Sequence, residues 1–381
     1  MEKEEKKTVR TFALASFLND LGSDIIYPIW PLFVTSVLGA NMAILGFIDG
    51  LGEALVSISQ AISGYASDKL RRRKVFIWAG YVFGAVSRVG YAFSTAWPHL
   101  IPFRVLDRAG KIRAAPRDAM IADVSSNENR GRNFGLLRTM DNLGAVLGIL
   151  VCLALFPILG YKNLFILASV PSFVAALLVF LFIKETRSET KIYKGFRLKD
   201  LTKNFKLFLF LSAVFALGSF SYSFLLVFSK IAGFEVVFVP VLYLLFTFVA
   251  SLFSLPAGKL SDRIGRKPLI MVSYVFWTSV CFIFIYFRSI EAIVLAFILY
   301  GLHKGTLEPV QKTFVSELAP EQYRASALGA FQMVIGLCAL PASSFAGFLW
   351  DSFGIEAPFY VSLALTAISF AMLIFVKQGR K

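Results

Sequence analysis

Gly64-Tyr65-Ala66-Ser67-Asp68-Lys69-Leu70-Arg71-Arg72-Arg73 recurs 194 positions later as Gly258-Lys259-Leu260-Ser261-Asp262-Arg263-Ile264-Gly265-Arg266-Lys267. Each copy closes a long apolar segment. The same offset carries Asp123 to Glu317, Arg130 to Arg324 and Gly135 to Gly329, so the duplication extends well beyond one decapeptide. The chain is built from two related halves, and internal symmetry in an apolar chain is the pattern of membrane transporters.

Composition sets the class. Of 381 residues, 57% are hydrophobic, 15% aromatic and only 17% charged, and mean hydropathy is +0.69. A soluble fold of this size needs more polar residues to clothe it, so the chain reads as an integral membrane protein. About 20 helical residues cross a hydrocarbon core of roughly 30 Å, and the apolar runs predict twelve spans. Those of the first half are 10–37, 42–66, 74–94, 97–121, 132–158 and 163–184; those of the second are 205–230, 234–258, 268–287, 291–315, 325–348 and 356–377. Long continuous runs, with none of the alternating segments of an outer-membrane barrel, make the spans helices. The expected fold is all-α, with two pseudo-symmetric six-helix bundles at 1–186 and 204–381 joined by a cytoplasmic linker at 187–203.

The net charge of +15 follows the positive-inside pattern and implies no nucleic-acid partner. Lys69, Arg71, Arg72, Arg73 and Lys74 fill the connection between spans two and three, and Lys184, Arg187, Lys191, Lys194, Arg197, Lys199 and Lys203 the central one. Gly39 to Met42 and Ser94 to Leu100, on the other side, contain no Lys or Arg. Both termini are therefore assigned to the cytoplasm, with the chain multi-pass in the cell inner (plasma) membrane. The first span is too long for the apolar core of a cleaved signal, and Met1 to Lys7 reads as a solvated tail. Cys152, Cys281 and Cys338 lie inside spans without paired spacing, and His99 and His303 are too separated for a metal site. No phosphate loop, nucleophile elbow or redox motif occurs, so neither enzyme chemistry nor a cofactor is expected.

The repeated decapeptide resembles the motif Gly-x-x-x-Asp-Arg/Lys-x-Gly-Arg-Arg/Lys of the major facilitator superfamily. The second copy fits at every defined position, and the first departs once, with Arg71 in place of Gly. The resemblance covers essentially the whole chain. Arg104, Asp107, Arg108, Gly110 and Lys111, followed by Pro116 to Ala119, are similar to the Arg-x-x-Asp-Arg-x-Gly-Lys and Pro-Arg-Asp-Ala signatures of a prokaryotic branch. The resemblance implies a gate built from Gly64, Asp68, Arg72, Gly258, Asp262, Arg263, Gly265 and Arg266. Asp68 would meet the positive end of span eleven and Asp262 that of span five, while Gly64 and Gly258 allow close helix approach and the basic residues pair with acids or lipid headgroups. Arg108 stands where proton-coupled members carry a glycine in span four. Gly135, Gly144 and Gly148 match the glycine spacing of the span-five antiporter motif, but Ile149 replaces its proline.

Substrate chemistry is expected where the halves diverge. Span four carries Arg104, Asp107, Arg108, Lys111, Arg113, Arg117 and Asp118, a density that lipid-facing positions do not tolerate. At about 100° per residue, Arg113 and Arg117 fall opposite the other five. Shifted by 194, the seven become Ile298, Gly301, Leu302, Gly305, Leu307, Gln311 and Lys312, of which only the last is charged. Asp20 and Asp24 on span one, and Asp49 and Glu53 on span two, are spaced by four and share a helix face. Together with Arg88, Arg138 and Asp141 they are expected to join the stripe in one buried charge network, whose blander reading is mutual neutralisation that holds the bundle together. Glu53, near the centre of span two, is the candidate proton carrier, with Asp20 and Asp24 in reserve. Lys304, Glu308 and Lys312 on span ten make a second polar site or a local ion pair.

The function these residues imply is secondary active transport of a small polar or amphipathic solute by a monomer, through alternating access and with proton-coupled efflux. Proton-coupled uptake or exchange of an organic anion is the alternative within transport. A non-transporting membrane sensor or a lipid scramblase is the alternative outside it.

Overall fold

A chain with this little polar surface satisfies its backbone within each segment, and the result is helix throughout. The computed structural model describes residues 2–70, 72–126, 129–185, 201–319 and 324–377, and among these all regular structure is helical. Most of the linker predicted at 187–203, with Arg187, Lys191, Lys194, Arg197 and Lys199, lies outside the described residues. Nine helical segments among the described residues are long and apolar enough to cross a membrane by length and composition.

The structure divides into two compact units, one of residues 1–39 with 55–193 and one of residues 40–54 with 194–381. The first contains α1 (Glu2–Ile26), α2 (Trp30–Leu32) with a π-helical turn at Phe33–Val37, and the later part of α3 (Met42–Leu70). It continues with α4 (Arg73–Phe93), α5 (Trp97–Ala109), a 3-10 turn at Gly110–Arg113, α6 (Ala114–Val124) and α7 (Arg130–Phe182). The apolar run 132–182 lies within α7 and is interrupted by Gly160, whose φ of 62° and ψ of −175° are not helical. α1 and α4 pack along α7, around a core of Phe12, Ile77, Tyr81, Met120, Leu137 and Val179. The approach of α1 to α7 is close: a Cβ on Gly144 would stand 2.3 Å from Phe17 O, and one on Gly148 2.4 Å from Leu21 O.

The second unit holds the start of α3 with α8 (Lys203–Gly218), α9 (Tyr222–Ile231), a 3-10 turn at Val236–Phe238, α10 (Val239–Ile264), α11 (Arg266–Tyr286), α12 (Ile290–Leu318), α13 (Arg324–Phe353) and α14 (Ala357–Phe375). α12 receives α10 and α11, and α8 lies on α14. Its core is aromatic, with Phe228, Phe284 and Phe359 in mutual ring contact.

The helix ends refine the repeat. α3 stops at Leu70 and α10 at Ile264, but α4 starts at Arg73 and α11 at Arg266. The turn in the first half is one residue longer, because Gly265 reverses the chain at φ 102°, a conformation that Arg71 would adopt only at a cost. The surplus is returned between Trp97 and Val124, which is one residue shorter than the 29-residue α12. A 3-10 helix rises about 2.0 Å per residue against about 1.5 Å in an α-helix. The four residues Gly110–Arg113 thus gain about 2 Å, close to one helical residue.

Candidate functional site

The polar core of the first unit is assembled from small polar residues that the apolar pattern of the spans conceals. Arg88, 2% exposed on α4, donates from Nη2 to Asn19 O at 3.2 Å and from Nη1 to Ala168 O at 3.1 Å and to Ser172 Oγ. Asn19 in turn donates to Asp20 Oδ1 at 3.0 Å and accepts from Ser172 at 3.2 Å. Arg117 donates to Ser16 Oγ at 2.7 Å and to Asp118 Oδ1 at 3.0 Å. Asp141 accepts a hydrogen bond from Ser16 and lies within electrostatic reach of Asp20 and Arg117. Ser16 therefore links a guanidinium on α6 to a carboxylate on α7. Ser16, Asn19 and Ser172 were not singled out from the sequence. Their signal is positional: Ser16, Asn19 and Ser23 recur at helical spacing inside an apolar span.

Three charges of the stripe lie buried on α5. Arg104, Asp107 and Arg108 are all under one-tenth exposed, and Arg108 Nε lies 3.6 Å from Asp107 Oδ2. The guanidiniums of Arg104 and Arg108 sit over Trp30 and Tyr27, 4.6 and 5.1 Å from the ring centroids, so ring faces supply part of what water would give a cation. Lys111 is half-buried, within reach of the charges of Asp20 and Asp107. Arg113 and Arg117, expected on the opposite side of the helix, are no more exposed than the stripe. Both are buried, Arg113 over Tyr81 and bonded to Gly110 O at 2.8 Å. By the helix-end register Arg104, Asp107 and Arg108 correspond to the uncharged Phe297, Tyr300 and Gly301, and Lys111 corresponds to Lys304. Asp24 is 9% exposed beside Gly148, and Arg138 pairs with Asp141 at 3.5 Å while its own side chain is 72% exposed.

Asp49 and Glu53 have other partners than the predicted single network. Asp49, in the second unit, accepts hydrogen bonds from Ser221 Oγ at 2.8 Å and from Ser223 Oγ. Glu53 is exposed rather than buried, and it acts electrostatically on Lys304 and Tyr300. Lys304 and Glu308 form the local pair, with Nζ 4.0 Å from Oε1, and Lys304 lies over the Tyr300 ring. Tyr300, Phe246, Tyr243 and Tyr222 continue as a chain of ring contacts. Among the described residues no group of three His, Cys, Asp or Glu side chains could hold a metal.

At the signature, the register shift decides which arginine is paired. Arg266 bridges Asp262 at 2.6 Å and Glu317 at 3.0 Å and also donates to Ser261. In the first half it is Arg73, 2% exposed, that bridges Asp123, while Arg72 is exposed at the turn. The next residue repeats the correspondence. Lys74 Nζ donates to Phe180 O near the end of α7, and Lys267 Nζ to Ile374 O and Val376 O at the end of α14, where a cation meets the negative helix terminus. Arg263 is exposed. Among the described residues, a Cβ on Gly258 would meet nothing within 4 Å, and one on Gly64 only Ala115 Cβ at 3.5 Å.

The sequence profile of the Major Facilitator Superfamily matches residues 12–251 and 208–381, together nearly the whole chain. The chain belongs to the Major Facilitator Superfamily. An uncharacterized MFS-type transporter of Methanocaldococcus jannaschii is 37% identical, over 98% of this chain and 96% of that protein. The multi-drug resistance efflux pump PmrA of Streptococcus pneumoniae is 25% identical, over 96% and 94%. Among solved structures, the nucleoside transporter NupG superposes with a TM-score of 0.76 at 17% identity, covering 96% of this chain and 97% of that one. The fold is thus a facilitator fold, and membership of this superfamily makes the chain a multi-pass membrane transporter rather than an enzyme.

Proposed function

We propose that this facilitator is a twelve-span secondary active transporter that exports a small polar or amphipathic solute by alternating access, driven by the proton gradient. The twelve-span reading is supported by dividing the apolar run 132–182 at Gly160 and adding two charged helical stretches, 2–26 and 97–124, to the nine apolar segments. In this reading the bundles are 1–186 and 204–381, both termini are cytoplasmic, and the protein works as a monomer in the inner membrane.

The observation that carries the proposal is the set of charged side chains under one-tenth exposed in the first unit, among them Asp24, Arg88, Arg104, Asp107, Arg108, Arg113, Arg117 and Asp141. Ions at membrane depth are expensive and face a bundle interior or a watery cavity. Arg104, Asp107, Arg108, Arg113 and Arg117 fall at positions whose repeat counterparts, Ile298, Gly301, Leu302, Leu307 and Gln311, are uncharged, which fits a solute site built by specialisation of one repeat. Glu53, beside Lys304 and Tyr300, remains the proposed proton carrier, with Asp20 and Asp24 in reserve. Asp68 and Asp262 are the proposed gate acids. Export is favoured by the efflux pump among the relatives. Exchange or uptake of an organic anion is the second reading, favoured by three cations, Arg104, Arg108 and Lys111, against two acids, Asp107 and Asp118, on that stripe.

A thermal-shift screen of purified protein against metabolites and drugs identifies the solute class, and transport of labelled anions and labelled cationic drugs in proteoliposomes then separates the two readings. Uptake of cationic drugs into inside-out vesicles supports export; anion transport with no movement of cationic drugs supports the second. Lipid flip-flop without solute movement contradicts both.

A further inference from the structure

Lysines line the end of the second unit where α8 and α11 start and α14 stops, and local bonds fix the backbone there. Asn204 Nδ2 donates to Lys377 O at 2.5 Å and Lys377 N donates to Asn204 Oδ1 at 2.9 Å, so the chain just past α14 is tied to the first turn of α8. Two turns further, Ser369 Oγ donates to Leu211 O at 3.1 Å, and the two helices run antiparallel side by side. From the other flank Lys267 Nζ, on α11, donates to Ile374 O and Val376 O, satisfying carbonyls left open at a helix end. Lys203, Lys206 and Phe210 recur at helical spacing on one stripe of α8, and all three are exposed. Beside them α14 presents Ile374 and Phe375, 55% and 74% exposed, and then the exposed Lys377. At this end each helix thus carries lysine at its tip and bare apolar side chains next to it, as a helix does where hydrocarbon gives way to headgroups. What distinguishes the corner is the absence of acid. Residues 201–210, 266–270 and 370–377 contain no Asp or Glu, Arg266 is turned onto Asp262 and Glu317, and among the described residues no carboxylate pairs with Lys203, Lys206 or Lys377. The corresponding corner of the first unit holds an acid of its own: Glu185 accepts from Arg73 N at 2.7 Å and from Lys74 N at 3.1 Å, while Lys7 and Lys74 lie over Phe182 and Phe180.

We propose that the α8–α14 corner binds one anionic phospholipid of the surrounding bilayer, with Lys203, Lys206 and Lys377 on its phosphate and Phe210 and Phe375 along its acyl chains. Three like charges gathered at one place repel one another, and an anion among them removes that cost. The linker is no counter-charge, since residues 186–200 carry five cations, Arg187, Lys191, Lys194, Arg197 and Lys199, against two acids, Glu189 and Asp200. A headgroup phosphate lies at the depth where lysine stems leave the hydrocarbon, and its chains cover the apolar side chains that a soluble anion would leave bare. The bonds from Asn204 and Lys267 hold Lys377 beside the start of α8, so the third cation stands at a fixed position and the attraction is that of a site rather than of a diffuse basic surface. The inference needs only a chain that sits in a membrane, and neither a solute nor a coupling ion.

The test uses the full-length protein in mixed micelles with equal amounts of phosphatidylglycerol and phosphatidylcholine. Retained lipid is counted by native mass spectrometry, and a phosphatidylglycerol with a photoreactive diazirine in one acyl chain locates it by cross-linking. The unaltered protein is expected to keep phosphatidylglycerol in at least tenfold preference, with cross-links concentrated in residues 203–218 and 357–377. The triple variant Lys203→Gln, Lys206→Gln and Lys377→Gln should weaken that retention at least tenfold, since a lysine near an anionic lipid surface contributes about fivefold, and the same three changes to arginine should preserve it. Lys6→Gln, Lys7→Gln and Arg10→Gln together, in the first unit, should leave it within twofold. Equal retention of the two lipids, unchanged retention in the α8–α14 triple variant, or cross-links spread evenly over both units would overturn the proposal. So would full displacement of the lipid by inorganic phosphate, which marks a soluble-anion site. If the triple variant fails to fold, the lipid preference and the cross-link positions of the unaltered protein decide by the same criteria. Solute flux enters none of these readouts, so failure of the proton-coupled export reading leaves them intact.

Discussion

Arg266 Nη2 lies 3.0 Å from Glu317 Oε1, and the equivalent bridge in the first half is made by Arg73 to Asp123, one position later than the sequence repeat would place it. The longer turn after Leu70 moves the next helix by one residue, and the bridge follows the helix rather than the alignment.

The two halves should therefore respond at different positions. Arg73→Ala and Arg266→Ala each remove charge-assisted hydrogen bonds from a buried guanidinium, and about 1 to 2 kcal/mol of stability is the expected loss once the partly exposed acids are discounted for solvent. Arg72→Ala and Arg263→Ala, both exposed, should stay within about 0.5 kcal/mol. Melting in detergent distinguishes the four. Equal losses for Arg72→Ala and Arg73→Ala would contradict the shifted register.

The buried network gives a second contrast. Arg117→Ala leaves Ser16 and the partly exposed Asp118 without their donor, and Arg88→Ala leaves the oxygens of Asn19 and Ala168 without theirs, so each should cost about 1 to 3 kcal/mol. Arg138→Ala removes a side chain that is mostly in solvent and should be nearly silent. Expression level and melting temperature read the difference, and equal small effects at all three positions would contradict a buried network.

The α1 and α7 contact offers a steric test. Gly144→Ala places a methyl against Phe17 O, and overpacking of this kind costs about 1 to 3 kcal/mol. Gly135→Ala, where a Cβ meets nothing within 4 Å, should be neutral or slightly stabilising. A destabilised Gly135→Ala with an unaffected Gly144→Ala would reverse the assignment of the tight contact.

Much of the fold is legible in the sequence because lipid removes alternatives: a run of some twenty apolar residues without water must pair its backbone internally, and the duplicated signature supplies the symmetry. The charged stripe is legible for the same reason, since Arg104, Asp107 and Arg108 have no tolerable place except the interior. What the sequence conceals is register and partnership. Nothing in the letters marks the 3-10 turn at Gly110–Arg113. Nor does the spacing of Asp49 and Glu53 reveal that the early part of α3 packs in the second unit, because that depends on glycine contacts with α13 far along the chain. Glu53, placed mid-span and read as buried, is exposed, since helix position gives depth but not which face is covered.

The gate proposal predicts that Asp68→Asn slows transport and increases labelling of cytoplasmic-side cysteines without blocking membrane insertion. Asp262→Asn should do so less, because Arg266 keeps its bridge to Glu317. Unchanged labelling and normal transport in Asp68→Asn would remove it from the gate.

The central claim is that a proton gradient drives solute movement through this chain, and its most direct measurement is flux of the solute found by thermal shift in proteoliposomes with and without an imposed pH gradient. The account predicts gradient-driven accumulation by the unaltered protein, abolished in Glu53→Gln although the variant still binds the solute. Equal flux with and without the gradient in the unaltered protein would contradict it.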